Sequence, residues 1–184
     1  MLRKKIVLLV ALIAGVTVKA NAQVYYTKNG SISFFSKAPL EDIKADNNQV
    51  ISLINTQTGE IKFSLLNNAF HFPKAMMEEH FNSDYIQSDK YPSSTFKGMI
   101  TDINKTDVTK DGAYKVNIQG DLNIHGVSKN ITTQATLIVK DGKFSGSSVF
   151  KILLKDYNIK IPSIVANNIA ESIEITVSCN YEKK

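Results

Sequence analysis

Apolar and polar side chains alternate at every second position through most of the sequence after about residue 30. In the segment 114–124, Tyr, Val, Ile, Leu and Ile occupy even positions, whereas Lys, Asn, Gln, Asp and Asn occupy odd ones. The segment 172–181 repeats the pattern, with Ile, Ile, Val, Cys and Tyr at odd positions. Because successive side chains of a β-strand point to opposite faces, each run predicts a strand with one dry face and one wet face. The alternation therefore predicts an all-β fold of about eight antiparallel strands.

Short turn sequences separate the alternating runs. Asp111-Gly112 and Asp141-Gly142 are dipeptides typical of two-residue hairpin turns, and Thr58-Gly59 predicts a further turn. The parity of the apolar positions reverses across His125-Gly126, which predicts a turn there as well.

One segment departs from the alternation and predicts a short helix near residues 73–83. Pro73 suits a first helical turn, because its missing N–H would have no partner there. Met77 and Phe81 lie four residues apart, so they share one side of the helix. The polar segment 84–94 then connects the helix to the next strand.

Strands with one apolar face, together with a single inserted helix, are compatible with a β-sandwich or a closed up-and-down barrel. The succession of hairpins favours the barrel. A barrel of about eight strands either fills its interior with side chains or encloses one ligand. The predicted inward positions mix small residues with phenylalanines, which favours a cavity unless the glycines mark bends: Gly98, Gly120, Ala135, Gly146 and Ser148 among Phe63, Phe96, Phe144 and Phe150.

Residues 1–22 have the three parts of a secretory signal peptide. A basic n-region lies at residues 3–5, an apolar run at 6–18 and a small-residue cleavage site at 20–22. The apolar run is shorter than a membrane span requires. We therefore expect cleavage, export, a single mature domain at 23–184 and no stable membrane insertion; an uncleaved anchor is the alternative.

The positive charge of the chain belongs mostly to this export segment. The chain has 22 Lys and Arg against 17 Asp and Glu, and four of the cations but none of the acids precede residue 23. The mature chain thus has 18 cations against 17 anions, which gives no electrostatic case for nucleic acid or an anionic membrane as a partner. The single cysteine, Cys179, is in phase with an apolar strand face and is expected to be buried.

The stretch GDLNIHGVSK places Asp121, Asn123 and His125 on one polar strand face. At about 3.3 Å per residue, neighbours in this set stand roughly 7 Å apart and the outer two roughly 13 Å apart. Metal ligands lie within about 2–2.5 Å of their ion, so these three side chains cannot converge on one metal. We therefore predict a solvated strand face and no metal site.

Common enzyme motifs are also missing from the sequence. It contains no G-x-S-x-G, P-loop or G-x-G-x-x-G motif, and its carboxylate pairs at 41–42 and 78–79 are adjacent residues that tend to point apart. We therefore predict no catalytic residues, no enzymatic activity and no cofactor. A lipid-modifying enzyme, which would depend on His80 or His125, is the least favoured alternative.

Three segments carry short motifs in a particular order. Residues 76–98 place His80-Phe81 on the predicted helix, followed by Tyr91-Pro92 and Thr95-Phe96. Residues 120–137 contain Gly-x-Leu-x-x-x-Gly-Val-x-Lys, formed by Gly120, Leu122, Gly126, Val127 and Lys129. A closing strand region extends from Phe150 to Tyr181. In this order and spacing, the segments resemble the YceI-like family of bacterial exported lipid-binding proteins over most of the mature chain.

The resemblance implies a lipocalin-like antiparallel β-barrel with a long apolar tunnel for an amphiphilic isoprenoid lipid, such as a polyisoprenoid or quinone-like molecule. It implies the periplasm of a Gram-negative bacterium and leaves open whether the chain forms a homodimer. One departure is Met76-Met77-Glu78-Glu79, which stands where the family often has an Arg or Asp-rich turn. The low basicity there gives less reason to expect an anionic diphosphate head group.

The resemblance and the inward phase together suggest nine candidate ligand contacts. The expected tunnel lining is Phe34, Phe63, Phe96, Phe144 and Phe150, and the expected mouth is Met77, His80, Phe81 and Tyr91. Each of these residues could instead belong to ordinary core packing. The leading hypothesis is carriage or sequestration of an isoprenoid-type lipid; a filled, ligand-free barrel acting as a structural or interaction module is the alternative.

Overall fold

The computed structural model describes residues 24–184; the predicted signal peptide, residues 1–22, lies outside this range. Eight antiparallel strands form one closed barrel, in which each strand pairs with its neighbour in sequence and β8 closes on β1. A short helix, α1, spans Ala75–His80 between the third and fourth strands. The strands are β1 Val24–Lys37, β2 Asp42–Asn55, β3 Glu60–Leu66, β4 Ser93–Ile100, β5 Gly112–Ile124, β6 Val127–Lys140, β7 Lys143–Leu153 and β8 Ser172–Lys183. The predicted barrel with one inserted helix is confirmed.

Two of the predicted hairpin turns have the expected backbone. His125 and Gly126 join β5 to β6 with φ values of 53° and 74°, and Asp141 and Gly142 join β6 to β7 with 51° and 73°. Positive φ at both central residues is the type I′ geometry, whose twist matches that of the flanking strands. The prediction for Asp111-Gly112 is wrong, because Gly112 is the first residue of β5 and follows a long connection that contains a 3₁₀ turn at Ile103–Lys105.

The helix lies at one end of the barrel, and a buried asparagine joins the two ends of the connection that contains it. It continues after His80 as a π-helical turn, Phe81–Tyr85, so the predicted span of 73–83 is close to the observed one. Asn67 is 1% exposed, donates from Nδ2 to the Tyr91 carbonyl at 2.6 Å and accepts from Ser94 Oγ at 2.8 Å. These bonds join the start of the helical connection, just after β3, to its end at the start of β4.

Aromatic rings close the opposite end of the barrel, where the first and last described residues meet. The Phe144 ring packs between those of Tyr25 and Tyr181, with centroid separations of 4.6 Å and 5.4 Å. The Tyr181 hydroxyl shares a 2.9 Å hydrogen bond with Ser52 Oγ, and both side chains are buried. This end is therefore filled by side chains, and we refer to it as the closed end.

The wall between β6 and β7 is hydrogen bonded over only part of its height. Among the described residues, the two strands pair from Lys140–Lys143 to Ala135–Ser148, although β6 extends eight residues further towards the α1 end. Ser148 Oγ donates to the Gln134 carbonyl at 2.6 Å where the ladder stops. Beyond this point, a 3₁₀ turn at Leu154–Tyr157, with Tyr157 buried, contacts both strands.

Candidate functional site

A cavity of about 610 Å³ occupies the barrel interior. All eight strands contribute lining side chains, most of them aliphatic or aromatic, because the inward phase of each strand is the apolar one. Its inner end reaches Tyr181 and Ile54 near the closed end, and its outer end lies between α1 and the connection 154–171. The volume lies within the range of about 300–1,000 Å³ that is typical of small-molecule sites.

The inner end of the cavity is uncharged. Burial, more than any neighbouring group, raises the pKa of Tyr181 well above that of an exposed tyrosine, so its hydroxyl stays protonated. Burial likewise raises the pKa of the Cys179 thiol to about 11. These groups can hydrogen bond, as Tyr181 does with Ser52, but they bring no charge into the interior.

Four phenylalanines form a cluster at the outer end of the cavity. The Phe81 ring, just after α1, lies 5.1 Å from that of Phe72 and 5.6 Å from those of both Phe34 and Phe70. Centroid separations of this size are favourable for tilted and edge-on ring pairs. The cluster joins the helical connection to β1 through apolar contacts, and all four rings line the cavity.

The charged groups that line the cavity lie near its mouth and are paired. Glu41 Oε1 accepts from Lys74 Nζ at 2.7 Å, and this hydrogen bond lowers the pKa of Glu41. Asp84 Oδ2 lies 2.8 Å from His80 Nδ1, a contact that lowers the pKa of Asp84. Among the described residues, those that line the cavity include no lysine and no arginine.

The structure places seven of the nine candidate contacts at the cavity. Phe34, Phe63, Phe96 and Phe150 lie along its walls, and Met77, His80 and Phe81 lie at its outer end. Their roles as ligand contacts stay predictions.

Two candidates, Phe144 and Tyr91, are not among the residues that line the cavity. Phe144 is 3% exposed within the closed end, where Tyr25 and Tyr181 cover its ring. Tyr91 packs its ring against that of His125 at a centroid distance of 4.4 Å, beside the β5–β6 hairpin at the same end of the barrel as α1.

The small inward residues fall into two groups. Ala135, Gly146 and Ser148 line the cavity and leave space there. Gly98 and Gly120 are paired across β4 and β5, and a Cβ at either would lie within 2.8 Å of Phe96 Cζ. Glycine at these two positions makes room for the Phe96 ring and not for a ligand, so the cavity interpretation was wrong for this pair.

The polar residues of GDLNIHGVSK do not converge in space. Asp121 is exposed and accepts from Asn130 Nδ2 at 2.9 Å, whereas His125 lies in the hairpin turn and donates from Nδ1 to the Tyr157 carbonyl at 3.0 Å. Within residues 24–184, no group of three or more His, Cys, Asp or Glu side chains could hold a metal ion.

A family model for the YceI-like domain matches residues 13–181, which is most of the sequence. The chain belongs to the YceI-like family. Protein YceI of Shigella flexneri is 39% identical over 93 residues, which are 47% of this chain and 44% of that protein. A UPF0312 protein of Enterobacter is 30% identical over 112 residues, 57% of this chain and 54% of that protein. These alignments thus span about half the length of the curated relatives.

Solved YceI-like structures share the fold at low sequence identity. A polyisoprenoid binding domain from Saccharophagus degradans aligns with a TM-score of 0.77 and 14% identity, covering 89% of this chain and 99% of that one. BcnA of Burkholderia cenocepacia aligns with a TM-score of 0.68 and 17% identity, covering 83% and 96%. At such identities, the comparison establishes a common barrel and not a common ligand.

The YceI-like cavity also includes residues that the alternation missed. The connection between β7 and β8 contributes apolar side chains to the outer end, and so does the segment before α1: Leu154, Ile159, Ile164, Val165 and Ile169, with Phe70 and Phe72. A usable signal was the stretch 161–170, which has no charged residue and no two-residue alternation. No helix in residues 24–184 has the length and apolar character needed to cross a membrane.

Proposed function

We propose that this YceI-like protein binds the chain of an isoprenoid-type amphiphilic lipid inside its barrel, and carries or sequesters that lipid in the periplasm. The observation that supports the proposal is the apolar cavity of about 610 Å³, closed at one end and bordered by α1 at the other. A related fold is named as a polyisoprenoid binding domain, which supports the same class of ligand. The predicted signal peptide supports the location.

The energetics of such binding follow from the lining. A polyprenyl chain exposes mainly apolar surface, and each Å² removed from water is worth about 25 cal/mol. A few hundred Å² therefore contributes several kcal/mol before the cost of ordering the chain. Met77, at the outer end, has an unbranched flexible side chain that can adapt to the methyl branches of such a ligand.

The mouth favours a lipid with an uncharged polar head. A phosphate or diphosphate is normally held by arginine, lysine or helix N-termini, and no lysine or arginine lines the described cavity. The groups available are Glu41, Asp84 and His80, which can accept hydrogen bonds from a hydroxyl or, for the histidine, donate to a carbonyl. A prenol or quinone-like head fits this set better than an anionic one.

Binding is a better account of this geometry than the two alternatives. A filled, purely structural barrel would have bulky side chains where Ala135, Gly146 and Ser148 leave space. A lipid-modifying enzyme would need reactive groups directed at one point, whereas His80 pairs with Asp84 at the mouth and His125 with a backbone carbonyl in a hairpin turn. We therefore infer a binding protein.

Lipid analysis of the protein purified from its own periplasm, compared with a blocked variant, tests the proposal. Ala135→Phe places a ring in the cavity, whereas Ala113→Phe, on the exposed outer face of β5, is the matched control. Native mass spectrometry should find an isoprenoid-type lipid on the wild type and on the control, and little on Ala135→Phe. Equal lipid content in both variants, or a wild type that neither carries nor takes up any isoprenoid lipid, would contradict the proposal.

A further inference from the structure

Three large apolar side chains stand out into solvent around the cavity mouth. Leu40, in the turn between β1 and β2, is 71% exposed; Met76, on α1, is 69% exposed; and Ile164, in the connection between β7 and β8, is 90% exposed. Each comes from a different connection at the same end of the barrel. We call these three residues the mouth rim.

Hydrogen bonds between the connections hold the mouth rim together. The Leu40 amide donates to the Asn167 carbonyl at 3.0 Å, which joins the first turn to the last connection. Glu41, the next residue, accepts from Lys74 Nζ at 2.7 Å, which joins that turn to the start of α1. Ile164 itself lines the cavity, so the rim is continuous with the apolar interior. The rim is thus preorganised, and using it as a contact surface costs little further ordering.

The sequence around each rim residue has the same arrangement of charge. Leu40 lies in an uncharged segment between a lysine and a glutamate, and so do Met76 and Ile164; the flanking pairs are Lys37 and Glu41, Lys74 and Glu78, and Lys160 and Glu171. The segments are therefore apolar at the centre and charge-balanced at the edges. A partner recognised by this surface is apolar, and its binding needs no net charge.

We propose that the mouth rim docks onto the surface of a lipid bilayer, with Leu40, Met76 and Ile164 inserted among the head groups and upper acyl chains. Exposed apolar side chains grouped at one end of a molecule mark interaction sites, and a lipid bilayer offers an apolar interior beneath its head groups. The inference rests on the proposed function, because docking at the mouth lets a lipid move between membrane and cavity without crossing water. A second copy of the chain fits less well, because three side chains are far too few for the roughly 1,000 Å² that a stable protein interface needs.

A tryptophan reporter gives a direct test, because the chain contains no tryptophan. Ile164→Trp places the only indole on the rim, and Ile138→Trp places it at an exposed apolar site on β6 near the closed end. The protein used is residues 23–184, which include the whole described barrel and omit the predicted signal peptide. Vesicles of phosphatidylcholine and phosphatidylethanolamine, free of isoprenoid lipid, should shift the Ile164→Trp emission to the blue, and brominated lipids should quench it. Ile138→Trp should show neither effect.

A flotation assay with two matched triple variants completes the test. The rim variant combines Leu40→Gln, Met76→Gln and Ile164→Gln. The control variant changes three exposed apolar residues of the strands, away from the mouth: Ile51→Gln, Met99→Gln and Ile138→Gln. Burial of even one such side chain changes partitioning by about tenfold or more, so vesicle binding should fall at least tenfold in the rim variant and stay unchanged in the control. Binding should also persist as salt rises from about 0.1 M to about 0.5 M, because it does not depend on net charge.

Several outcomes would overturn the docking inference. These are a wild type that does not bind vesicles, equal loss in both triple variants, or a wild-type dimer that becomes monomeric in the rim variant without any vesicle binding. Uptake of a short-chain prenol from solution is measured on the same samples. In the wild type, prenol uptake without vesicle binding would refute the docking and leave the proposed function intact. Vesicle binding by the wild type without prenol uptake would refute the proposed function and leave the docking intact.

Discussion

Removing the Phe81 ring should release α1 from the barrel without unfolding the barrel itself. Phe81 is half-buried and contacts the rings of Phe34, Phe70 and Phe72. Truncating a fully buried phenylalanine to alanine costs about 3–5 kcal/mol, so a half-buried ring accounts for roughly half of that. Three ring pairs add about 0.5–1.5 kcal/mol each beyond area, but they share one side chain and do not sum fully. We expect Phe81→Ala to weaken the attachment of the helical connection by about 2–4 kcal/mol.

Hydrogen exchange followed by NMR measures this loss locally. The Glu78 amide bonds to the Lys74 carbonyl and the Ile86 amide to the Phe81 carbonyl, so both report opening of the helical connection. Because about 1.4 kcal/mol corresponds to a factor of ten, their exchange should accelerate by about 30- to 700-fold, up to the unprotected rate. Amides of the strand ladders should keep their rates. Dissociation of a bound lipid should accelerate as well, because the mouth opens more often.

Met76→Ala is the matched control for Phe81→Ala. Met76 lies on the same helix but is 69% exposed, so its truncation should change these exchange rates by less than about threefold. The reasoning would be refuted if Phe81→Ala left the Glu78 and Ile86 amides as protected as in the wild type. It would also be refuted if the ladder amides lost protection equally, since the ring would then support the whole barrel.

Three further predictions concern stability and reactivity. Gly120→Ala would push a Cβ against the backbone of β4 and should lower the free energy of unfolding in urea by about 1–3 kcal/mol or more. Gly142→Ala, with φ of 73° and no neighbour within 4 Å, should lower it by only about 1 kcal/mol. Equal losses in the two variants would argue against close contact between β4 and β5. Cys179, with its pKa raised to about 11 by burial, should react with a disulfide reagent at about pH 8 only after unfolding in guanidinium, and rapid labelling of the native protein would contradict this. The hydrogen bond from Lys74 lowers the pKa of Glu41, so its stabilisation is present above the ordinary glutamate pKa and is lost as the pH falls through the lowered value. The difference in thermal midpoint between wild type and Glu41→Gln should therefore be largest near neutral pH and vanish in acid.

The features that sequence predicted well are those fixed by neighbouring residues. Alternation in 114–124 identified β5, and the turns at 125–126 and 141–142 needed only two residues able to adopt positive φ. Asp111-Gly112 has the same two residues as Asp141-Gly142, but it does not form a two-residue hairpin turn. There the Tyr114 hydroxyl donates to the carbonyls of Asp107 and Lys110, at 2.8 Å and 2.9 Å, and stabilises a longer connection that the dipeptide alone does not reveal.

The features that sequence could not predict depend on position along the barrel axis. Phe144 and Phe150 lie on one strand with the same parity, so alternation correctly turned both inward. One is packed into the closed end and the other lines the cavity, because six residues of strand separate them by roughly 20 Å. Odd or even position in a strand therefore indicates which face of the sheet a side chain is on, but not how far along the barrel axis it lies. Similarly, nothing local indicated that the space beside Gly98 and Gly120 is taken by the ring of Phe96, a side chain two residues from one glycine and across the ladder from the other.

The partial hydrogen bonding between β6 and β7 affects how far the cavity can widen. In a barrel whose strands pair over their full length, strand number and stagger fix the circumference, so the bore has one calibre throughout. Here that constraint holds only as far as Ala135 and Ser148, and beyond them the 3₁₀ turn at Leu154–Tyr157 contacts both strands. The width of the outer end of the cavity therefore depends on how this 3₁₀ turn packs. A bulky branched ligand could be accommodated there by movement of side chains, without breaking a backbone hydrogen bond between β6 and β7.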